Sequence, residues 1–360
     1  MDRVREIVIA LTGALAAAGC GVAPDRSPAD LGPPQRIVSL APSLTETLFA
    51  LGLGDRVVGV TRFCAHPPEA RELPQVGGYL DPNYEALVAL EPDLVVLIPS
   101  SAETGRRLDS LGIAVLRVDQ HDVAGVLQSI TVLAAACGVP GRGAELRTSI
   151  EERLASVAEL VAGIPRPRTV VVVGHDVGGG VVRRVWAAGP DTFYDDVLAV
   201  AGGVNAVAGG ISRYPELSRE GLAALDPDVV LDVIAGVEER GIDLDEIRAG
   251  WQELVELRVV REARVSILEG DVMVVPGPRL PEMVERIARA LHPEVQWGSN
   301  QHFSPASSYG RRCTTPSGVF SLRGARRTTE YDSAPLRSKT PLGEAPRHPR
   351  HETRREMQIQ

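Results

Sequence analysis

Cysteine is scarce in this chain. The four residues, at 20, 64, 137 and 313 of 360, have no disulfide-scaffold spacing, which excludes a small disulfide-built fold. Aromatic residues make up only 4%. The seven histidines are scattered without a triad order, and C-x-x-C, H-E-x-x-H and G-x-S-x-G are all missing, so nothing points to a closed metal site or an acyl-transfer nucleophile. G-x-G-x-x-G is missing too. Its nearest approximations fail by context: GVPGRG at 138–143 follows a predicted helix, and GHDVGGG at 174–180 has the wrong spacing. Long apolar runs are confined to the N-terminus, which excludes a multi-span membrane protein.

That one run, Ile7 to Ala18, follows Arg3 and Arg5 and is too short for a stable membrane span, so residues 1–20 are predicted to be a secretory signal peptide. Ala17-Ala18-Gly19-Cys20 resembles the lipobox of bacterial lipoproteins, which predicts lipidation at Cys20; plain secretion with an incidental cysteine is the alternative. A Pro-rich linker follows at 21–35. At the other end, residues 297–360 hold 11 Lys and Arg against 5 Asp and Glu, a net +6 within a total of −9, so the preceding chain carries −15. This tail is rich in Ser, Thr, Pro and Arg without apolar periodicity, and is predicted to be disordered. An acidic body argues against direct nucleic-acid binding.

The most informative feature is a long-range repeat. YLDPNYEALVALEPDLVV, from Tyr79, returns at an offset of 135 residues as YPELSREGLAALDPDVVL, from Tyr214. Each copy reads as a loop, a short helix closed by Pro92 or Pro227, and a buried strand. So long a period predicts two copies of a domain-sized α/β unit and hence a two-lobed molecule with a cleft. Around the repeat, strands alternate with helices, predicting two Rossmann-like α/β lobes with parallel sheets at 36–141 and 165–296. A long helix at 142–164 would bridge them. Further expectations are a capping box at Ser43 and Glu46 opening a helix to Gly52, a continuous helix from Asp243 to Leu257, and a strand from Val272 to Val275.

RIVSLAPSLTETLFALGLGDRVVGV, WAAGPDTFYDDVLAVAGG and VVPGPR, together with the two repeat copies, resemble the substrate-binding proteins of the cobalamin, iron-siderophore and haem ABC importers, closest to the cobalamin-binding members. The resemblance covers about residues 35–293. It implies two α/β lobes bridged by one long helix, a ligand held between them, delivery to a permease with its ATPase, and no catalysis. By motif, Glu85 and Glu220 match the two glutamates that dock onto permease arginines in that family. Each also falls in a first helical turn after a predicted cap, Asn83 or Ser218, where a carboxylate favours the helix dipole. Ligand-gripping aromatics of the cobalamin-binding relatives match Phe63, Tyr79, Trp186 and Tyr214, while a further family aromatic position falls on Ile98. Most aromatics before the tail are predicted in loops or at helix starts near strand ends, where open α/β sheets bind ligands.

Cys64 and His66 form a weak C-x-H metal candidate, and Arg62 and Arg279 are candidates for pairing with anionic ligand groups. No cofactor is expected beyond the ligand itself, a corrinoid or another metal chelate. Two other function classes stay open. One is a ligand-sensing receptor on the same fold, and the other a dinucleotide-dependent oxidoreductase.

Overall fold

The computed structural model describes residues 32–99, 102–178, 181–207, 209 and 212–298. Cys20, the signal peptide and the tail beyond Gly298 lie outside them. The elements, in chain order, are β1 (Ile37–Ser39), α1 (Pro42–Ala50), β2 (Val57–Val60), α2 (Tyr84–Ala89), β3 (Leu94–Leu97), α3 (Ala102–Ser110), β4 (Val115–Arg117), α4 (Val123–Ala136) and α5 (Pro140–Leu160). Then come β5 (Arg168–Gly178), β6 (Val181–Ala187), α6 (Phe193–Val200), β7 (Val204–Asn205), β8 (Glu216–Ser218), α7 (Arg219–Leu225) and β9 (Val229–Ile234). The last are α8 (Val237–Arg240), α9 (Leu244–Gln252), α10 (Arg258–Arg261), β10 (Val265–Glu269) and α11 (Leu280–Leu291).

Two compact units result. The first gathers residues up to Leu160 together with Asp191–Val200 and Val275–Val284, and the second gathers Val161–Pro190, Ala201–Val274 and the residues from Glu285 onward. In the first, four parallel strands run in the order β2-β1-β3-β4. Their sequences, IVS, VVGV and LVVL among them, are apolar at successive positions because a parallel sheet is covered on both faces. Val38, Leu40, Val76, Leu87, Val95, Leu97 and Leu108 pack as one core against them. The long helix expected at 142–164 is α5, whose 21 residues span about 32 Å and belong to the first unit. Gly143, Leu146, Ile150, Leu154 and Val157 form its buried stripe, and a Cβ on Gly143 would come within 2.4 Å of Ala134 Cβ on α4, so only glycine permits that approach.

The sheet of the second unit runs β10-β9-β5-β6-β8, with β7 also on β5. Strands β10, β9, β5 and β7 are mutually parallel, but β6 and β8 are antiparallel to their neighbours, so this sheet is mixed where a parallel one was expected. The segment VVRRVW escapes a pattern search because Arg183 and Arg184 interrupt its apolar run. In the fold Arg184 reaches Glu216 across the ribbon at 2.9 Å.

Other expectations are corrected as well. Helix α1 has Ala41 at its N-cap with no side-chain cap, so Ser43 and Glu46 form no capping box. Ser43 instead donates to Gln120 Oε1 at 2.5 Å, and Glu46 is buried against Arg279. Asp271–Met273 is a 3-10 turn instead of a strand, following Gly270 at φ 107°, which buries Val272 and Met273. The expected helix to Leu257 ends at Gln252, and α10 begins only at Arg258.

The repeat is visible in hydrogen bonds. Asn83 Oδ1 accepts from Ala86 N at 3.0 Å to cap α2, and Ser218 Oγ accepts from Gly221 N at 3.2 Å to cap α7. Each helix is followed by a non-glycine residue at positive φ, Glu91 at 46° and Asp226 at 41°, immediately before Pro92 and Pro227. A residue before proline is disfavoured in helical conformation, so the chain turns there in both copies. Asp93 then accepts from the N–H groups of Gln35 and Arg36 at 2.7 and 2.9 Å, and Asp228 from that of Arg168 at 2.9 Å. Those contacts set the start of β3 beside β1 and of β9 beside β5. The Arg168 N–H also holds Asp228 below the usual carboxylate range.

Candidate ligand-binding and docking site

In the first unit, Phe63 stands on the Thr61–His66 loop and is 39% exposed. Arg62 lies over its ring, 4.8 Å from the centroid, and pairs with Asp81 at 3.0 Å, so this arginine is committed within the protein. Through Arg62 N to Gly77 O, 3.0 Å, the Phe63 loop is tied to the loop carrying the half-buried Tyr79. The structure thus brings the Phe63 and Tyr79 loops together. Ile98 is half-buried just past β3.

The Cys64 thiol, next to Phe63 in sequence, is buried 3.2 Å from both Thr45 Oγ1 and Thr61 Oγ1. Burial pushes its pKa up, the thiol being kept protonated. His66 is half-buried, and desolvation followed by the charge of Arg279 lowers its pKa. Among the described residues no group of three or more His, Cys, Asp and Glu could hold a metal ion. Arg279, a candidate for a ligand anion, makes a two-pronged pair with Glu46, its Nε donating to Oε2 at 2.9 Å and its Nη2 to Oε1. Helical periodicity hides this pair, because its partners are 233 residues apart.

In the second unit, Trp186 is inside β6, opposite Gly174 on β5 and Glu216 on β8, and not in the loop expected for it. Hydrogen bonds from Ala187 N to Pro215 O at 3.0 Å and from Gly189 N to Arg213 O at 2.8 Å continue the β6–β8 register, which places Tyr214 two residues along the same ribbon from the partner of Trp186. Both rings are half-buried. Burial raises the Tyr214 hydroxyl pKa. A residue set that pattern reading missed lies in the same sheet: Asp232 on β9, with no exposure, accepts from Trp251 Nε1 at 2.7 Å and stands 3.4 Å from His175 Nδ1. An acidic residue in an apolar strand, VVLDVI, is the signal that could have found it. An open depression of about 540 Å³ lined by Val237, Gly241, Ile242, Asp243, Leu244 and Arg248 contains none of the candidate residues.

Glu85 and Glu220 are both exposed in the first turns of α2 and α7. Glu220 is held below the usual carboxylate range by its own backbone N–H and by Ser218. The two glycine-bearing loops weighed for a nucleotide do not fit one. GVPGRG runs from the end of α4 into α5, and the strand containing Gly174 is followed by another strand, β6, with no helix N-terminus to receive a phosphate.

Two α/β units built on one repeated helix–strand module define a two-unit α/β binding protein. The model of the periplasmic binding protein family matches residues 37–249, and the chain belongs to this family, whose members bind and do not catalyse. It is 32% identical over 270 residues to an uncharacterised ABC transporter substrate-binding lipoprotein, YvrC, of Bacillus subtilis, covering 73% of this chain and 81% of that one. A cobalamin-binding protein of Halobacterium salinarum is 32% identical over 275 residues, covering 72% and 70%. Among solved structures, the periplasmic heme-binding protein RhuT of Roseiflexus, in apo form, superposes with a TM-score of 0.62 at 30% identity, covering 72% of this chain and 98% of that one.

Proposed function

We propose that this protein is the extracytoplasmic substrate-binding component of an ABC importer, that it captures a corrinoid or another metal chelate, and that it hands the ligand to a permease with its ATPase. The observation that carries this reading is the paired module. Two equivalent helices, 135 residues apart in sequence, each expose a first-turn glutamate, Glu85 and Glu220, in a chain related to transporter-linked binding proteins. Helix capping accounts for either carboxylate alone, but docking to a partner accounts for both. In this reading Phe63, Tyr79, Trp186 and Tyr214 grip the ligand, flat rings suiting a macrocycle or aromatic chelate. Cys20 carries a lipid that tethers the mature chain.

Uptake tests the reading. In cells that depend on this importer, Glu85→Ala/Glu220→Ala should abolish ligand uptake while the purified double variant keeps its melting temperature and ligand affinity. Normal uptake by that variant would reduce both residues to helix-start carboxylates. Cys20→Ser should release the protein to the soluble fraction, and persistent membrane attachment without lipid on the N-terminal peptide would exclude the anchor.

A further inference from the structure

The residue before Glu220 is an arginine, and an arginine in the first turn of a helix is poorly placed against the helix dipole. Arg219 is nevertheless fixed there. Its Nε and Nη2 both donate to Oε1 of Glu256, at 3.2 and 2.7 Å. Glu256 lies in the segment between α9 and α10, and that segment is itself held: Arg261 Nη1 donates to the carbonyls of Val255 and Glu256, at 2.9 Å each. The chain of contacts therefore runs from Arg261 through the loop backbone to the Glu256 carboxylate and on to the Arg219 guanidinium. Beside it stands Glu220, exposed and ionised.

We infer that Glu256 is a positioning residue for docking, which neutralises Arg219 and so leaves Glu220 as an uncompensated carboxylate offered to a cationic partner surface. The inference rests on the docking role proposed above for Glu220. With Glu256 absent, the Arg219 guanidinium would turn to the adjacent carboxylate or face the incoming cation, and like charges brought together at an interface oppose association. Val255, next to Glu256 in the same loop, is 64% exposed. Among the described residues the first unit shows no such arrangement. There the position equivalent to Arg219 is Tyr84, whose ring lies under Arg107 at 4.1 Å, so the two docking carboxylates have different electrostatic surroundings.

The experiment is a double-variant cycle on the full chain, measuring association with its permease–ATPase complex in nanodiscs at low and at physiological salt. Glu256→Gln should weaken association about tenfold, while Arg219→Gln should leave it within about twofold. The combined variant should return to near the wild-type value, because removing the arginine removes the need to neutralise it. Glu220→Gln should weaken association at least as much as Glu256→Gln. A partner-free readout accompanies these: in Glu256→Gln the side-chain titration of Glu220, followed by carboxylate NMR, should move to lower pH as Arg219 is released. A silent Glu256→Gln, or a combined variant as weak as Glu256→Gln, overturns the inference while Glu220→Gln still weakens docking. If Glu220→Gln is silent too, the docking role falls and the inference falls with it.

Discussion

Asp232 is the most demanding residue of the second unit. A carboxyl group with no exposure is costly unless it is hydrogen-bonded; Trp251 Nε1 bonds one oxygen, Oδ2, at 2.7 Å while filling the core, and the other, Oδ1, has only His175 Nδ1 near it, at 3.4 Å. Asp232→Ala should leave the indole N–H buried without an acceptor and cost about 1–3 kcal/mol in chemical denaturation. An unchanged midpoint would mean that water or His175 takes over. His66 gives a pH signature. Its folded pKa is depressed below 6.5, so protons bind the unfolded chain more tightly, and stability should decline as the pH falls below 6.5 towards the folded value. His66→Asn should flatten that part of the stability profile, and an identical slope in the variant would assign it to other groups. At Trp186 the expectation concerns affinity: Trp186→Ala should weaken ligand binding by about one to two orders of magnitude, at 1.4 kcal/mol per tenfold. Unchanged affinity would remove this ring from the site.

At the level of elements, helices whose ends are fixed locally were legible in the sequence. Asn83 and Ser218 cap where their spacing indicated, and Pro92 and Pro227 stop α2 and α7. Elements decided by distant partners were not. Glu46 looked like the second half of a capping box because it follows Ser43 by three residues, yet a proline at the first helical position and a buried pair with Arg279 decided otherwise. Strand β6 was missed for a related reason, its arginines being solvent-facing positions of an antiparallel ribbon whose partner β8 is only three residues long. The candidate site shows the same division. Its residues were named from motifs, but the pairing of Arg62 with Asp81 and of Arg279 with Glu46 depends on chain segments brought together only by the fold. The Glu46–Arg279 pair ties α1 to the segment leading into α11 within the first unit. Because Glu46 is almost fully buried, Glu46→Ala should destabilise the fold by about 3 kcal/mol, read as a lowered melting temperature. A shift of less than a degree would show that the pair is replaceable by solvent.

For the whole molecule, the two units are not consecutive stretches of chain. The first takes Asp191–Val200 and Val275–Val284 from far along the sequence, which a linear division at 142–164 does not reveal. At the C-terminal end Trp297 donates from Nε1 to His292 O at 3.2 Å and lies under Arg289, 5.0 Å from its ring centroid, so the first residue assigned to the tail by composition packs on α11. Truncation after Gly298 should accordingly leave the melting temperature and ligand affinity unchanged, whereas removing Trp297 as well should lower the former. Loss of affinity on truncation after Gly298 would give the basic tail a part in binding.

The role proposed for the chain is that of a receptor for a metal chelate. Its most direct test is titration of the purified mature protein with cobalamin, haem and a ferric siderophore, monitored by tryptophan fluorescence and calorimetry. Saturable binding of at least one of them at micromolar concentration or below, weakened by Trp186→Ala and unaffected by Glu85→Ala/Glu220→Ala, is the predicted result. Failure of all three to bind the folded protein would contradict the account.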